Sequence, residues 1–316
     1  MKKITFVING TLRNISSIKK RIVENFERDF EISLKVSSYR TDSMNLAENG
    51  IKEGSDYIIS VGGDGTMNEV VNGVMRIPKY QREKLIVGLL PTGSGNDFAR
   101  TMKLSSHAVK LKNYILNNLF THIDIGKIEC RKINGEPTTR YFNNIADAGL
   151  GGEVTNKLSN SKKLLGPTFT YFKSSVTSFI TYKKKRIRFS SPQFSWEGAI
   201  LILCLANANY FGSGLGIAPH AKYDDGKMAV VIAGEVSLFD YLKNVPKIRR
   251  TQFLDHPGII YNEVESCEIE PLDDNCLIET DGEVAGKLPL KLSVLNKELK
   301  LLSPINACNK NNFQSR

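Results

Sequence analysis

Two short stretches combine glycine with carboxylate in a way that could handle phosphate. They are Gly62-Gly63-Asp64-Gly65-Thr66-Met67-Asn68 and Gly93-Ser94-Gly95-Asn96-Asp97. Each follows an apolar run, Tyr57–Val61 and Leu85–Leu90, and each leads into a helical pattern. A strand that breaks at glycine and restarts as a helix presents backbone N–H groups and the positive end of the helix dipole to an anion. A carboxylate such as Asp64 makes sense there if a cation or a hydroxyl shares the site. Either turn alone also reads as a tight structural corner. Strand ends in a parallel sheet share one edge, however, so the pair reads as a polyphosphate cradle closed from two sides. Neither turn is a P-loop, because no GxxxxGK[ST] occurs, and neither fits GxGxxG.

A third stretch, Glu279-Thr280-Asp281-Gly282-Glu283, follows the apolar run Cys276-Leu277-Ile278. A solvated Asp-Gly hairpin would look the same. The chemical reading is a carboxylate that accepts the proton of a hydroxyl during phosphoryl transfer. A fourth, Ala221-Lys222-Tyr223-Asp224-Asp225-Gly226-Lys227, pairs aspartates beside glycine. It suits a hard cation held by carboxylate and carbonyl oxygens, or a plain turn. The four histidines are scattered, with no HExxH, and the five cysteines form no CxxC. A zinc site or disulfide framework is not indicated, and a reducing cytoplasm fits.

The elements that must carry these turns follow from periodicity. Ile4–Ile8, Ile32–Ser38, Tyr57–Val61 and Leu85–Leu90 read as strands. They alternate with helical patterns over Ile15–Phe30, Ser43–Lys52, the residues after Gly65, Phe98–Arg100 and His107–Phe120. That alternation predicts a parallel, helix-covered sheet over residues 1–122. From Ile123 short strands take over: Ile123–Cys130, Thr139–Ile145, Ile187–Phe189, Ala199–Asn207, Met228–Gly234, Val264–Glu270, Cys276–Thr280 and Leu290–Leu295. Residues 123–296 thus read as a β-sandwich or distorted barrel, interrupted by one helical piece near Leu164–Lys184. Glu298–Leu302 reads as a strand that completes the first domain (297–304), and 306–316 as a disordered tail.

With 316 residues and a formal charge of +10, the chain has room for two domains and favours an anionic partner. Met1–Ile8 lacks a signal-peptide cleavage pattern and reads as a first strand. The longest apolar stretch, Ala199–Ala206, is far short of the roughly 20 residues that span a bilayer. The expected protein is soluble, and contact with a membrane is left open at this point. The basic and aromatic insert from Lys162 to Arg188, including Phe169, Tyr171, Phe172, Phe179 and Tyr182, reads as a solvated face or, given the family resemblance below, as a contact with an anionic headgroup region. No nucleic-acid motif is present. Dimerisation is left open.

Taken together, these motifs resemble the diacylglycerol kinase catalytic-domain family, which includes bacterial lipid kinases and the sphingosine and ceramide kinases. Val61–Thr66 is similar to its nucleotide motif and Leu90–Arg100 to its more specific second motif. Asn207–Gly216, Pro219–Gly226 and Asp281–Glu283 fall in the family's order, over a match from Ile4 to about Leu302. The resemblance implies a Rossmann-like nucleotide-binding α/β domain, a β-sandwich domain and an active site in the cleft between them. It implies ATP-dependent phosphorylation of a lipid hydroxyl, with ATP held by Thr41, Gly62 to Asn68, Gly93, Ser94 and Asn96. Asp64 and Asp97 would organise Mg²⁺, and Asp281 would accept the proton, with Glu283 the second choice. Asp225, with the carbonyls of Lys222 and Lys227, would match a structural magnesium site. The family's Asn-Pro-x-x-Gly turn is replaced here by Asn9-Gly10-Thr11-Leu12-Arg13. Phe142, Ile145, Tyr171, Phe172 and Phe211 are candidate walls for a long-chain acceptor. Two alternatives stay open: an NAD kinase, which shares the GGDGT turn but not Pro91–Arg100, and a non-enzymatic nucleotide- or lipid-binding module.

Overall fold

The computed structural model describes residues 1–159, 176–273 and 276–305. Most of the expected helical piece 164–184, most of the basic insert, Tyr171, Phe172 and the tail 306–316 lie outside the described residues. Two compact units emerge, Met1–Ile123 with the chain from Lys297 onward, and Asp124–Asn296.

The first unit is built on parallel strands β1 (Lys3–Ile8), β2 (Glu31–Val36), β3 (Tyr57–Gly62) and β4 (Ile86–Pro91), in the order β2-β1-β3-β4. β3 and β4 are buried at every position, as expected for parallel strands covered on both faces. Helices α1 (Ile15–Phe26), α2 (Asp42–Lys52), α3 (Asp64–Met75), α4 (Lys79–Arg82), α5 (Asp97–Thr101) and α6 (Ala108–Leu116) connect or follow them. The apolar spacing of α1 puts Ile18, Ile22 and Phe26 into a core with Ile4, Phe6, Ile59 and Leu90. The chain end also joins this sheet: Lys300 and Leu301 pair in parallel with Ile86 and Val87.

The second unit is antiparallel. Its strands are β5 (Phe120–Arg131, starting in the first unit), β6 (Pro137–Phe142), β7 (Ile145–Gly149), β8 (Lys185–Ser190), β9 (Ser195–Ile200) and β10 (Ile202–Ala206). They continue with β11 (Tyr210–Phe211), β12 (Leu215–Gly216), β13 (Met228–Ala233), β14 (Ile259–Val264), β15 (Ser266–Pro271), β16 (Leu277–Thr280) and β17 (Glu283–Leu302). The order β14-β13-β10-β7-β16-β17 forms its spine, and β15, β8, β9, β5 and β6 wrap round to make a sandwich-like layer. Ile128, Phe142, Phe189, Leu203, Val230, Ile269 and Leu292 fill the space between.

Several elements differ from the sequence reading. Thr139–Ile145 is two strands, because the N–H groups of Asn143 and Asn144 turn away from the ladder to a side chain, described below. Ala199–Asn207 breaks at Leu201, whose N–H and carbonyl bond to Ala233 and Leu150. Val264–Glu270 is the junction of β14 and β15. Besides the single turn α4, two helices appear that were not expected, α7 (Leu150–Ser159) and α8 (Leu238–Arg249); residues 176–181 are helical, within the expected piece 164–184. Gly151-Gly152 obscures the first. Pro246 obscures the second, although Ser237 and Asp240 form a reciprocal capping box at its start.

Candidate functional site

β3 ends in Gly62, and α3 begins at Asp64; β4 ends in Pro91, and α5 begins at Asp97. The two glycine turns lie against each other. Thr92 N–H donates to the Gly62 carbonyl at 2.9 Å, and a Cβ on Gly93 would stand 2.4 Å from the Cα of Gly63. No side chain fits at that approach, so the glycines are needed for the turns to meet. Asp64 spans the junction: its two carboxylate oxygens accept the N–H groups of Asp97 and Phe98, each at 3.0 Å. It thereby orients the second turn from the first. Asn96, at φ 53°, accepts Gly93 N–H at 3.1 Å and donates Nδ2–H to the Gly93 carbonyl at 2.7 Å, which staples that turn closed.

The first backbone bond of α3 runs from Met67 N–H to the Gly63 carbonyl. The N–H groups of Asp64, Gly65 and Thr66 precede it and have no acceptor within the helix, the usual arrangement at an anion site. The Thr66 hydroxyl accepts Asn9 Nδ2–H at 2.9 Å, so the divergent first turn is tied to this one. Met67 is fully buried and Asn68 nearly so, with Asn68 accepting Asn72 Nδ2–H; their side chains build the core beneath the turn. Ser94 is exposed. Thr41, at φ 70°, is held by Glu69, whose carboxylate accepts Thr41 N–H at 2.8 Å and Ser43 N–H at 3.2 Å. Asn9 and Glu69 are thus positioning residues that no local sequence signal singles out.

In the second unit Asp281 sits in a left-handed turn at φ 49°, followed by Gly282 at φ 92°. Its buried carboxylate accepts three backbone N–H groups, from Asn143 and Asn144 at 3.1 Å and Ile145 at 2.8 Å. Its own N–H returns to the Ile145 carbonyl at 2.9 Å. Asn207 supports that corner by donating to the Asn143 carbonyl at 3.1 Å. Glu283, half-buried, opens β17 opposite Thr280.

The Lys222–Lys227 loop is shaped by Asp124, a fully buried carboxylate that sequence reasoning missed. Asp124 Oδ2 accepts Gly226 N–H at 2.6 Å, and its own N–H reaches the Tyr223 carbonyl at 2.6 Å. Asp225 and both lysines are exposed, and Asp225 accepts Lys227 N–H at 3.1 Å. Among the described residues no group of three or more His, Cys, Asp or Glu side chains stands ready to hold a metal. An ion in this loop would rest on Asp225, backbone carbonyls and water, a donor set that suits magnesium.

A cavity, open at its mouth, lies between α7, residue Phe179, α8 and the β10–β13–β14 face. Leu150, Leu201, Phe211, Ile217, Tyr241 and Ile248 line it, and polar groups are few. Of the expected chain-binding walls, Phe211 is here, whereas Phe142 and Ile145 are buried in the cores. At the rim His256 lies 3.6 Å from Asp240, whose carboxyl is held below its ordinary range by the Ser237 hydroxyl and N–H.

Residues 3–128 match the diacylglycerol kinase catalytic domain, and residues 144–303 match the YegS C-terminal NAD kinase beta sandwich-like domain. A diacylglycerol kinase of Staphylococcus haemolyticus (strain JCSC1435) is 30% identical over 276 residues, covering 87% of this chain and 79% of that protein. One of Staphylococcus carnosus (strain TM300) is 28% identical over 310 residues, 96% of each chain. Among solved structures, a diacylglycerol kinase from Bacillus anthracis str. Sterne superposes with a TM-score of 0.69 at 18% identity, over 96% of this chain and 97% of that one. A second solved chain from that organism reaches 0.75 at 18% identity, with the same coverage.

Proposed function

The chain belongs to the diacylglycerol kinase family and is a phosphotransferase with an alcohol group as acceptor, and we propose that it moves the γ-phosphate of ATP to the hydroxyl of a diacylglycerol-like lipid at a membrane surface. The observation that carries this reading is the contact of the Gly63 and Gly93 turns, bridged by Asp64. It supports a nucleotide whose phosphates take the N–H groups of Asp64, Gly65 and Thr66, with Thr41 and Ser94 beside them. Mg²⁺ bound with the nucleotide would neutralise phosphate charge; Asp64 and Asp97 would face it, and Asp225 with the carbonyls of Lys222 and Lys227 would suit a separate structural ion.

Of the two candidate proton acceptors, Asp281 already accepts three N–H groups, and taking a proton would cost it those bonds. Asp281 therefore fixes the turn, and Glu283 takes the hydroxyl proton. As it does so, the alcohol oxygen bonds to the γ-phosphorus, and the bond to the β-phosphate oxygen breaks to release ADP. The cavity behind α8 supports an apolar chain on the acceptor, because its lining is almost wholly apolar. Exposed Phe239, Leu242, Phe253 and Ile180 each adjoin a residue that lines it, which supports action at a lipid surface.

The protein is offered γ-labelled ATP with dioctanoylglycerol, sphingosine, a polyprenol and NAD in separate reactions. Label in dioctanoylglycerol is expected. Label in NAD, or bound ATP with nothing labelled, overturns the reading.

A further inference from the structure

The second unit buries two carboxyl groups that the transfer step does not use. Asp147 on β7 and Glu279 on β16 are direct cross-strand partners, 2% and 6% exposed. Direct cross-strand partners project to one face of a sheet, so the two side chains stand against each other. Two carboxylates side by side in a dry interior cannot both be ionised, so the pair keeps a proton. Desolvation raises both carboxyls above their ordinary range, Glu279 well above it, with the Asp147 charge adding to the rise at Glu279. Among the described residues no cation compensates either group.

The titratable groups facing the pair are Asp281 in the adjoining turn and Cys204, directly across from Asp147 on β10. Cys276, Tyr182 and Glu153 lie further off. Burial pushes the Cys204 thiol and the Tyr182 phenol up, and the Cys276 thiol to about 12, so these three keep their protons at ordinary pH.

Both ends of the pair are fixed. Asp147 packs so closely on α7 that a Cβ at Gly151 would stand 2.2 Å from its Oδ1. At the other end, Glu279 Oε1 accepts the N–H of Gly282. β7 therefore meets the acidic turn twice: the N–H groups of Asn143, Asn144 and Ile145 bind Asp281, and Asp147 faces Glu279 across the ladder. Two consecutive left-handed residues, one of them not glycine, need such over-determination to persist.

We propose that the proton shared by Asp147 and Glu279 locks the Asp281-Gly282-Glu283 turn, which makes Glu279 a positioning residue for the proton acceptor Glu283. The inference rests on the kinase reading above for its catalytic consequence, and on geometry alone for the lock. Loss of the proton leaves two like charges in a dry interior; they separate, Gly282 loses its acceptor, and Glu283 drifts from the hydroxyl it serves.

The test compares wild type with Glu279→Ala and Glu279→Gln, since glutamine can accept from Gly282 and donate to Asp147 without an ionisable proton. Glu279→Ala is expected to lower kcat by about a hundredfold, with the KM for ATP changed by less than about twofold. Glu279→Gln is expected to recover most of that loss and to lack the alkaline fall in kcat that wild type shows. Wild-type kcat in Glu279→Ala, or an alkaline limb that persists in Glu279→Gln, overturns the proposal. If Glu279→Ala does not fold, the glutamine comparison decides.

Thermal unfolding gives a second readout that needs no turnover. The folded state holds a proton that the unfolded chain releases in the ordinary carboxylate range, so wild-type stability falls as pH rises from that range towards the raised value of the pair. Glu279→Gln should lose that part of the slope; equal slopes overturn proton sharing. Should wild type phosphorylate no alcohol at all, the kinase reading fails, while the unfolding comparison still decides the shared proton.

Discussion

Asp281 and Glu283 are two residues apart, carry the same functional group, and have opposite surroundings. Asp281 is buried and receives three N–H donors; Glu283 is half-buried at the start of a strand. Glu283→Gln is expected to lower kcat by about 10²–10⁴-fold, the usual contribution of a positioned base, while the affinity for ATP measured by calorimetry stays near wild type. Asp281→Asn replaces one accepting oxygen with an NH₂ that confronts backbone donors, so its melting temperature should fall further than that of Glu283→Gln. Equal melting temperatures would argue against Asp281 as the anchor. The acidic motif itself was legible in the sequence. The division of labour within it was not, because it is decided by backbone donors more than 130 positions earlier in the chain. Asp64 is similar: the sequence marks it as an acid in an anion site, whereas only the fold shows both its oxygens turned to the start of α5.

Among the elements, β3 with α3 and β4 with α5 are the pairs whose geometry matters most. Gly93→Ala is expected to push the two turns apart and weaken ATP binding by more than about tenfold, on the scale of a lost close backbone approach to phosphate. The same change leaves the buried strands β3 and β4 in place, so far-UV circular dichroism should stay that of wild type. Loss of the circular dichroism signal together with ATP binding would make Gly93 a folding residue instead. These parallel strands were readable because apolar runs that break at Gly62 and Pro91 leave little else to predict. The antiparallel unit was harder. β6 and β7 run together in sequence, and only the capture of Asn143 and Asn144 by Asp281 separates them. α8 was hidden by Pro246, yet its start is well specified. Ser237→Ala removes the side-chain acceptor for Asp240 N–H and should cost about 1 kcal/mol, read as a lower melting temperature.

On the scale of the whole molecule, 43 basic against 33 acidic residues favour an anionic surface, but net charge alone does not say where contact occurs. No helix among the described residues is long and apolar enough to cross a membrane. The side of α8 away from the cavity offers a place for contact instead. Phe239 and Leu242 are exposed one turn apart, and Lys243, Lys247, Arg249 and Arg250 follow them, also exposed. Bulky apolar residues beside a basic stretch suit the boundary between headgroups and acyl chains. Phe239→Ser with Leu242→Ser should therefore reduce co-sedimentation with both phosphatidylglycerol and phosphatidylcholine vesicles, by about tenfold or more given roughly 0.8 kcal/mol per buried CH₂. Lys243→Glu with Arg250→Glu should act differently, weakening binding to phosphatidylglycerol alone by about 1 kcal/mol per charge and flattening its salt dependence. Vesicle binding that both double variants retain at wild-type strength would move the membrane contact away from α8 and return it to the basic stretch around Lys183–Arg188.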